Sequence, residues 1–249
     1  MIRHRFLAAV LLAAAPLGAG AAPPSIKAPI EAAIADPARP PEDVARDADR
    51  KPAEMLRFAG VKPGMTVVDL LPGGGYFTRL FADVVGPTGK VIAYAPDEML
   101  KSQKAIDRLD GLATGHANVQ AYHDKLMDPP PPAATDIAWT AQNYHDLHNL
   151  AGVDLVAFNK MIYANLKPGG VYVILDHAAK AGSGIADTDT LHRIDPAVVK
   201  REAIAAGFVF DGESKVLANP ADDHMLKVFD PALRGHTDQF LYRFRKPRK

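Results

Sequence analysis

Four of the nine histidines stand among residues that could do chemistry together. His145 and His148 lie in the run NYHDLH, His177 ends the run LDH, and His192 sits in DTDTLHRID. Asn143, Tyr144, Asp146, Asp176, Asp187, Asp189, Arg193 and Asp195 accompany them. An imidazole titrates near neutrality, so it can take up and return a proton where a carboxylate or an ammonium cannot. The same side chains suit a second chemistry. His145, His177 and His192 with Asp176 or Asp189 have the ligand types of a zinc or other divalent-metal site, although no HExxH or comparable short motif fixes their spacing. A third feature is the loop Gly73-Gly74-Gly75, which follows the apolar run TVVDLL after Pro72. Glycines there remove the Cβ atoms that would keep a bound group from the backbone, and a following helix N-terminus adds partial positive charge.

The elements that must carry these residues alternate. Short helices are expected from Ile26 to Ile34 and from Pro41 to Ala48, then from Pro52 to Ala59, where Gly60 supplies a left-handed end. TVVDLL is short and β-branched, as a buried parallel strand should be. In YFTRLFADVV the apolar residues Phe77, Leu80, Phe81 and Val84 share one helix face, and Gly86-Pro87 stops it. Strand KVIAYA, helix DEMLKSQKAIDRL and strand NVQAY follow. DIAWTA, helix VDLVAFNKMIYANL and strand VYVILD come after four prolines, the last strand entered through the turn Lys167-Pro168-Gly169-Gly170. Asp195-Pro196 caps a helix running to Gly207, and strands at about Phe208–Val216 and Asp238–Phe244 close the chain. Strands alternating with helices predict an α/β fold with a doubly wound parallel sheet, whose ligand site lies at the carboxyl ends of the strands. His145, His177 and His192 all leave that edge. His148 reads as a helix-start residue facing solvent, and His192 with Arg193 as a pair bridging to Asp195 or Asp189. The connection Leu217–His236, with Met225, Leu226, Val228 and Phe229, is expected to be a lid on the substrate side.

The first 21 residues have the make-up of a secretory leader: Arg3 and Arg5, an apolar run from Phe6 to about Leu17, and a small-residue Ala19-Gly20-Ala21 cleavage pattern. Residues 22–50 are expected to pack as an arm on the domain 51–249. Removing the leader takes away Arg3 and Arg5 and leaves 27 basic against 29 acidic residues. That balance argues against nucleic acid as a partner, and nothing after the leader is apolar enough to hold the mature chain in a bilayer. With no cysteine in the 249 residues, disulfides, thiolate zinc sites and cysteine nucleophiles are excluded. A periplasmic or secreted location is expected.

The glycine loop lacks the Gly-Lys-Ser/Thr ending of a triphosphate loop, since Gly75 is followed by Tyr76-Phe77-Thr78. A dinucleotide fold would want glycine at position 78, where Thr78 stands. VVDLLPGGGYF, GKVIAYAPDEM and LKPGGVYVILDH, in that order, resemble instead the motifs of class I S-adenosylmethionine-dependent methyltransferases over about Lys51–Lys246. NYHDLH and DTDTLHRID resemble, more narrowly, a group of exported bacterial methyltransferases of unassigned substrate. The resemblance implies a Rossmann-like sheet of order 3-2-1-4-5-7-6 with the last strand antiparallel and helices on both faces. It implies S-adenosylmethionine as cofactor, held through Asp69 and the loop Gly73, Gly74 and Gly75. Leu71 stands where the family has its first motif glycine. Ala95 stands where it has the acidic residue that binds the ribose, leaving Asp97 or Glu98 for that part, and Asp124 is placed for the adenine. In methyl transfer an enzyme mainly aligns the nucleophile and removes its proton. On that basis His145 is the expected base, with Tyr144 and Asn143 aligning the substrate and His177 as the next candidate. The expected activity is transfer to a small molecule or an exported protein side chain. A non-catalytic binding protein on the same fold, and a metal enzyme using the histidine cluster, are the alternatives.

Overall fold

The structure is a computed structural model that describes residues 26–127 and 134–248. The leader and the four prolines from Pro129 to Pro132 lie outside the described residues. The elements run α1 (Lys27–Ile34), α2 (Pro41–Val44), α3 (Asp47–Arg50), α4 (Pro52–Ala59), β1 (Thr66–Leu70), α5 (Tyr76–Val85), β2 (Lys90–Pro96), α6 (Gln103–Asp110), β3 (Val119–Asp124), β4 (Thr135–Ala141), α7 (Tyr144–Leu147), α8 (Leu155–Asn165), β5 (Leu166–His177), α9 (Pro196–Ala205), β6 (Val209–Ser214) and β7 (Gln239–Arg245). Among the described residues no helix is long and apolar enough to cross a membrane.

The strands form one seven-stranded sheet of order β3-β2-β1-β4-β5-β7-β6. Only β7 runs against the others, pairing antiparallel with both β5 and β6. Successive residues in β1, β2, β4 and β5 are buried, as they must be when helices cover both faces of a parallel sheet. The core runs through Val67, Val68, Ile92, Ile137, Trp139, Val173 and Ile174, with Leu80, Phe81 and Phe158 from the helices. Phe77 and Phe81 pack on Trp139, with ring centroids 4.7 and 5.5 Å away.

Three local expectations change. The helix expected over 97–109 is split: Asp97–Met99 make a 3₁₀ turn, and α6 starts anew at Gln103 because the Ser102 hydroxyl accepts the Ala105 N–H. The helix expected over Pro41–Ala48 is two single turns, α2 and α3. The turn Lys167–Gly170 is drawn into β5, where Leu166 pairs with Thr135 and the register shifts before Ile137 meets Val171.

The arm is docked rather than free. The Arg39 guanidinium forks onto both oxygens of Asp47, at 2.7 Å each. Asp47 also accepts the Tyr76 hydroxyl at 2.6 Å, and Arg79 of α5 reaches Asp43 at 2.6 Å. These contacts put α2 and α3 over the N-terminus of α5, beside the glycine loop.

Candidate active site

A cavity of about 300 Å³ opens where β1, β4 and β5 end, at the low end of the range for small-molecule sites. Its floor and one wall are Asp69, Leu71, Gly73 and Gly74. The arm contributes Asp43, Arg46 and Arg50, and the far side is Gln142, Asn143, His145, Asp146, His177 and His192, closed by Val228 and Phe229.

Asp69, one residue before the end of β1, is buried. The only hydrogen bond to its carboxyl among the described residues comes from the Thr78 hydroxyl at 2.6 Å. Burial pushes its carboxyl up to about 7, against the pull of Thr78 and of the Arg50 charge. The next turn is unusual. Leu71, in the family's glycine position, has φ +57°, a left-handed conformation that costs a non-glycine residue about 1 kcal/mol or more. It is clamped there by its own N–H to the Tyr94 carbonyl at 2.7 Å and by Asn143 Nδ2 on its carbonyl at 2.9 Å. Gln142 (φ +63°) and His192 (φ +56°) also line the cavity in this conformation. Backbone strain gathered at one cavity is the mark of a site shaped for a ligand.

The three loop glycines do different work. Gly73 and Gly74 line the cavity, and a Cβ added at either would meet open space. Gly75 does not line it. It has φ +80°, and an added Cβ would strike the Leu112 side chain and Arg79. Gly75→Ala is therefore expected to cost about 2–3 kcal/mol in thermal unfolding, whereas Gly74→Ala should cost under about 1 kcal/mol and act on ligand binding instead.

Arg50 is the site residue that the sequence pattern did not reveal. It leaves α3 to lie over the Tyr76 ring, 4.8 Å from its centroid, and donates to Gln142 Oε1 at 2.9 Å, while Gln142 donates to Gln239 at 2.9 Å. Burial draws its pKa down to about 10, and its Nε has no partner among the described residues. Only its place after an arm helix, before Lys51-Pro52, hinted at a fixed position.

His145 begins at α7 and turns back to β5. Its ring Nδ1 lies 2.8 Å from Asp176 Oδ1, and its backbone N–H donates to Asp176 Oδ2 at 2.8 Å. Asp176 also accepts the His177 N–H at 2.8 Å. Burial raises the Asp176 carboxyl, but the His145 ring and these donors outweigh it and hold it below the ordinary carboxylate range. Burial likewise lowers His145, and Asp176 more than reverses that, holding the imidazole above its ordinary value. An ionised Asp176 accepts only, so Nδ1 carries the proton it shares with Asp176; the same pull favours a second proton on Nε2, which presents a lone pair in the neutral ring. His177 lines the cavity too, its Nδ1 2.7 Å from the Thr237 hydroxyl, and burial pushes it down to about 4, so it is neutral.

Several expected residues are elsewhere. Tyr144 does not face the cavity: its fully buried hydroxyl donates to Glu202 Oε2 at 2.8 Å and accepts from Asn159 Nδ2 at 2.7 Å. Neighbours on a helix are turned about 100° apart, so α7 can send only one of Tyr144 and His145 inward. Asn143 does line the cavity, but its amide nitrogen is committed to the Leu71 and Ala141 carbonyls, so it positions the loop. His148 is not solvent-facing; it packs against Glu202 with Nε2 at 3.3 Å. Arg193 pairs with neither Asp189 nor Asp195 but with Asp222. Asp195 caps α9. Asp97 and Asp124 lie outside the cavity lining: Asp97 holds His123 at 2.7 Å, and Asp124 accepts from Tyr122 and from the Lys125 N–H. Glu98 is likewise used, accepting the Leu126 N–H at 3.0 Å. The β2 and β3 ends are knit to the segment after β3, not to the cavity. Of the 217–236 connection, Val228 is buried at the cavity and Phe229 packs tilted on His192 at 4.9 Å but is itself exposed, as are Met225 and Leu226.

A sheet of this order with one reversed strand, and a glycine loop opening its cavity, is the Rossmann-like fold of class I methyltransferases. No family model matches the chain. A methyltransferase from Mesorhizobium loti, described as S-adenosylmethionine-dependent, superposes with a TM-score of 0.57 at 17% identity, over 80% of this chain and 99% of that one. In sequence, the ubiquinone/menaquinone biosynthesis C-methyltransferase UbiE of Ectopseudomonas mendocina is 36% identical over 187 residues, 74% of this chain and 64% of the relative. The UbiE of Shewanella pealeana is 37% identical over 122 residues, 49% of this chain and 46% of the relative. The chain thus spans between about half and two thirds of these curated relatives.

Proposed function

We propose that this chain is an S-adenosylmethionine-dependent methyltransferase acting on a small molecule that loses a proton at the methylated group. One observation carries the reading: a single cavity joins the strained glycine loop and buried Asp69 to a buried histidine–aspartate pair. The residues fit the cofactor's amino-acid end. Asp69 is a buried carboxylate short of donors, suited to an ammonium, and Arg50 has an unused Nε beside it in the wall, suited to a carboxylate. When bound, S-adenosylmethionine supplies an electrophilic methyl group on a sulfonium. Across the cavity the His145 Nε2 lone pair is the proton acceptor, and Asp176 keeps that tautomer and stabilises the charged ring once the proton arrives. Val228 and the exposed Phe229 wall the substrate side. The small cavity favours a small molecule over a protein side chain. The relatives named as C-methyltransferases of ubiquinone/menaquinone biosynthesis suit that class, since quinone biosynthesis works on small molecules. The leader with Arg3, Arg5 and Ala19-Gly20-Ala21 supports export.

Calorimetric titration of the mature chain with S-adenosylmethionine and S-adenosylhomocysteine tests the reading. Both are expected to bind, and Arg50→Gln to weaken each by about 10- to 100-fold, as the loss of a hydrogen bond to a charged group does. Absence of heat with either at about 1 mM would leave a weaker than −4 kcal/mol interaction and overturn it.

A further inference from the structure

Three potential ligand atoms converge beside the cavity. His145 Nε2 is 3.3 Å from His192 Nδ1 and 3.4 Å from Asp146 Oδ1, and His192 Nδ1 is 3.6 Å from the same oxygen. In the neutral ring His145 has its proton on Nδ1, toward Asp176, and its Nε2 is an acceptor. The Asp146 carboxylate is an acceptor too. His192 Nδ1 can bring at most one proton, to serve one of two acceptors at distances longer than a good hydrogen bond. When both rings are neutral and His192 carries its proton on Nε2, three lone pairs face one another around one centre.

The edges of that triangle match the footprint of a metal. Donors bound at about 2.0–2.1 Å around a tetrahedral zinc are about 3.3–3.4 Å apart, and the observed edges lie at or just above this. The surroundings are those of a ligand set. The ring nitrogen of His145 that does not face the centre is held by a buried carboxylate at 2.8 Å, the arrangement that orients metal-bound histidines. His192 is fixed by its left-handed backbone and by Phe229 against its ring. All three residues line the cavity, so further coordination positions open toward it.

We propose that His145 Nε2, His192 Nδ1 and Asp146 Oδ1 form the protein face of a site for a divalent transition-metal ion, zinc foremost, whose open position takes water or an anionic oxygen donor of the substrate. Two imidazoles and one carboxylate favour zinc, cobalt or iron(II) over magnesium and calcium, which prefer all-oxygen sets. The site differs from the one the sequence suggested: His192 and His145 meet, but the carboxylate is Asp146. Asp176 stands behind as a positioning residue. Metal binding here does not depend on the methyl-transfer reading. Occupancy would, however, take the lone pair assigned to proton removal, and the ion would then acidify the substrate's oxygen by its own charge.

The test uses the mature chain, stripped with a chelator, dialysed against Zn²⁺ or Co²⁺ and assayed for metal content, with Co²⁺ also followed by its visible ligand-field absorption. One equivalent of tightly held metal and an absorption band of a low-coordinate nitrogen/oxygen site are expected, uncompeted by excess Mg²⁺. His192→Gln, on a partly exposed loop, should abolish the band with circular dichroism unchanged. Asp176→Asn should weaken binding by about 10- to 100-fold. Asp189→Asn, outside the triangle, should bind as the parent does. Lack of stoichiometric Zn²⁺ and Co²⁺ binding by the parent chain overturns the proposal, as does a Co²⁺ spectrum that His192→Gln leaves unchanged. S-adenosylmethionine is absent from this assay, so failure here says nothing about the cofactor reading.

Discussion

Asp69→Asn is expected to abolish binding of S-adenosylmethionine and, at the same time, to make the ligand-free chain more stable above neutral pH. Both effects have one cause. The carboxyl is fully buried with one neutral donor, so its pKa in the folded chain is raised from 3.8 to about 7. A group raised in this way contributes to stability at acid pH, and that contribution is lost as the pH climbs through the folded value. Above pH 7 the folded state holds a buried charge whose cost is at most about 4 kcal/mol, at 1.36 kcal/mol for each pKa unit. Asparagine has the same shape, can still accept from Thr78, and does not titrate. The melting temperature of the variant should therefore match the parent near pH 4 and exceed it by several degrees near pH 8. In binding the sign reverses. A ligand ammonium favours the ionised carboxylate, so the parent's affinity should fall about tenfold per pH unit below 7, and the variant should bind at least about 100-fold more weakly with no such slope. Equal affinity of the two at pH 8, read by calorimetry, would remove Asp69 from the site.

Arg193→Met should be the most destabilising of the substitutions considered. The guanidinium is completely buried and every face of it is used: Asp222 at 2.9 and 3.1 Å, the Ala178 carbonyl at 2.9 Å and the Leu226 carbonyl at 3.0 Å. Taking one partner from a buried ion pair leaves the other charge uncompensated and costs about 3–5 kcal/mol. Asp222 keeps two backbone donors, from His224 at 3.0 Å and Asp238 at 2.7 Å, which places the loss near 3 kcal/mol. For a chain of this size that lowers the melting temperature by roughly 6–12 °C. Adding Asp222→Asn should recover at least about 1 kcal/mol, because it removes the stranded charge. The same change frees the Leu226 carbonyl and with it the stretch carrying Val228 and Phe229, so ligand affinity should drop with stability. A melting temperature within 2 °C of the parent, by scanning calorimetry, would contradict the assignment.

Elements with a strong apolar rhythm and firm punctuation were legible. The spacing Phe77, Leu80, Phe81, Val84 between two glycine turns predicts α5 over Tyr76–Val85, and that is its extent. The strand order and the reversed β7 came from the resemblance, and the pairing agrees. His145 and His177 both line the cavity, because strand ends in such a sheet share one edge. Residue-level detail failed where direction, not position, decides. Tyr144 adjoins His145 in sequence but points into the core. Asp146 was only one of several nearby acids until the fold brought His192 beside it. Arg50 lay in a charge-rich arm that looks like solvated surface, and nothing local marks it as buried. Asp97 and Asp124 sit at the expected strand ends, yet their oxygens are engaged by His123, Tyr122 and the Lys125 N–H.

The chain of hydrogen bonds from Arg50 through Gln142 to Gln239 has a consequence for how the site comes into being. Its two links join residues 92 and 97 positions apart in sequence, from the arm to the first residue of the final strand. The Tyr76 and Phe77 rings support Arg50 locally, but its hydrogen bond runs to Gln142, which is itself held by a residue from β7. The cavity wall is therefore completed only by the last pairing of the sheet. A ligand that grips Arg50 recognises the finished chain alone, and its binding energy is added in full to the cooperative unfolding transition.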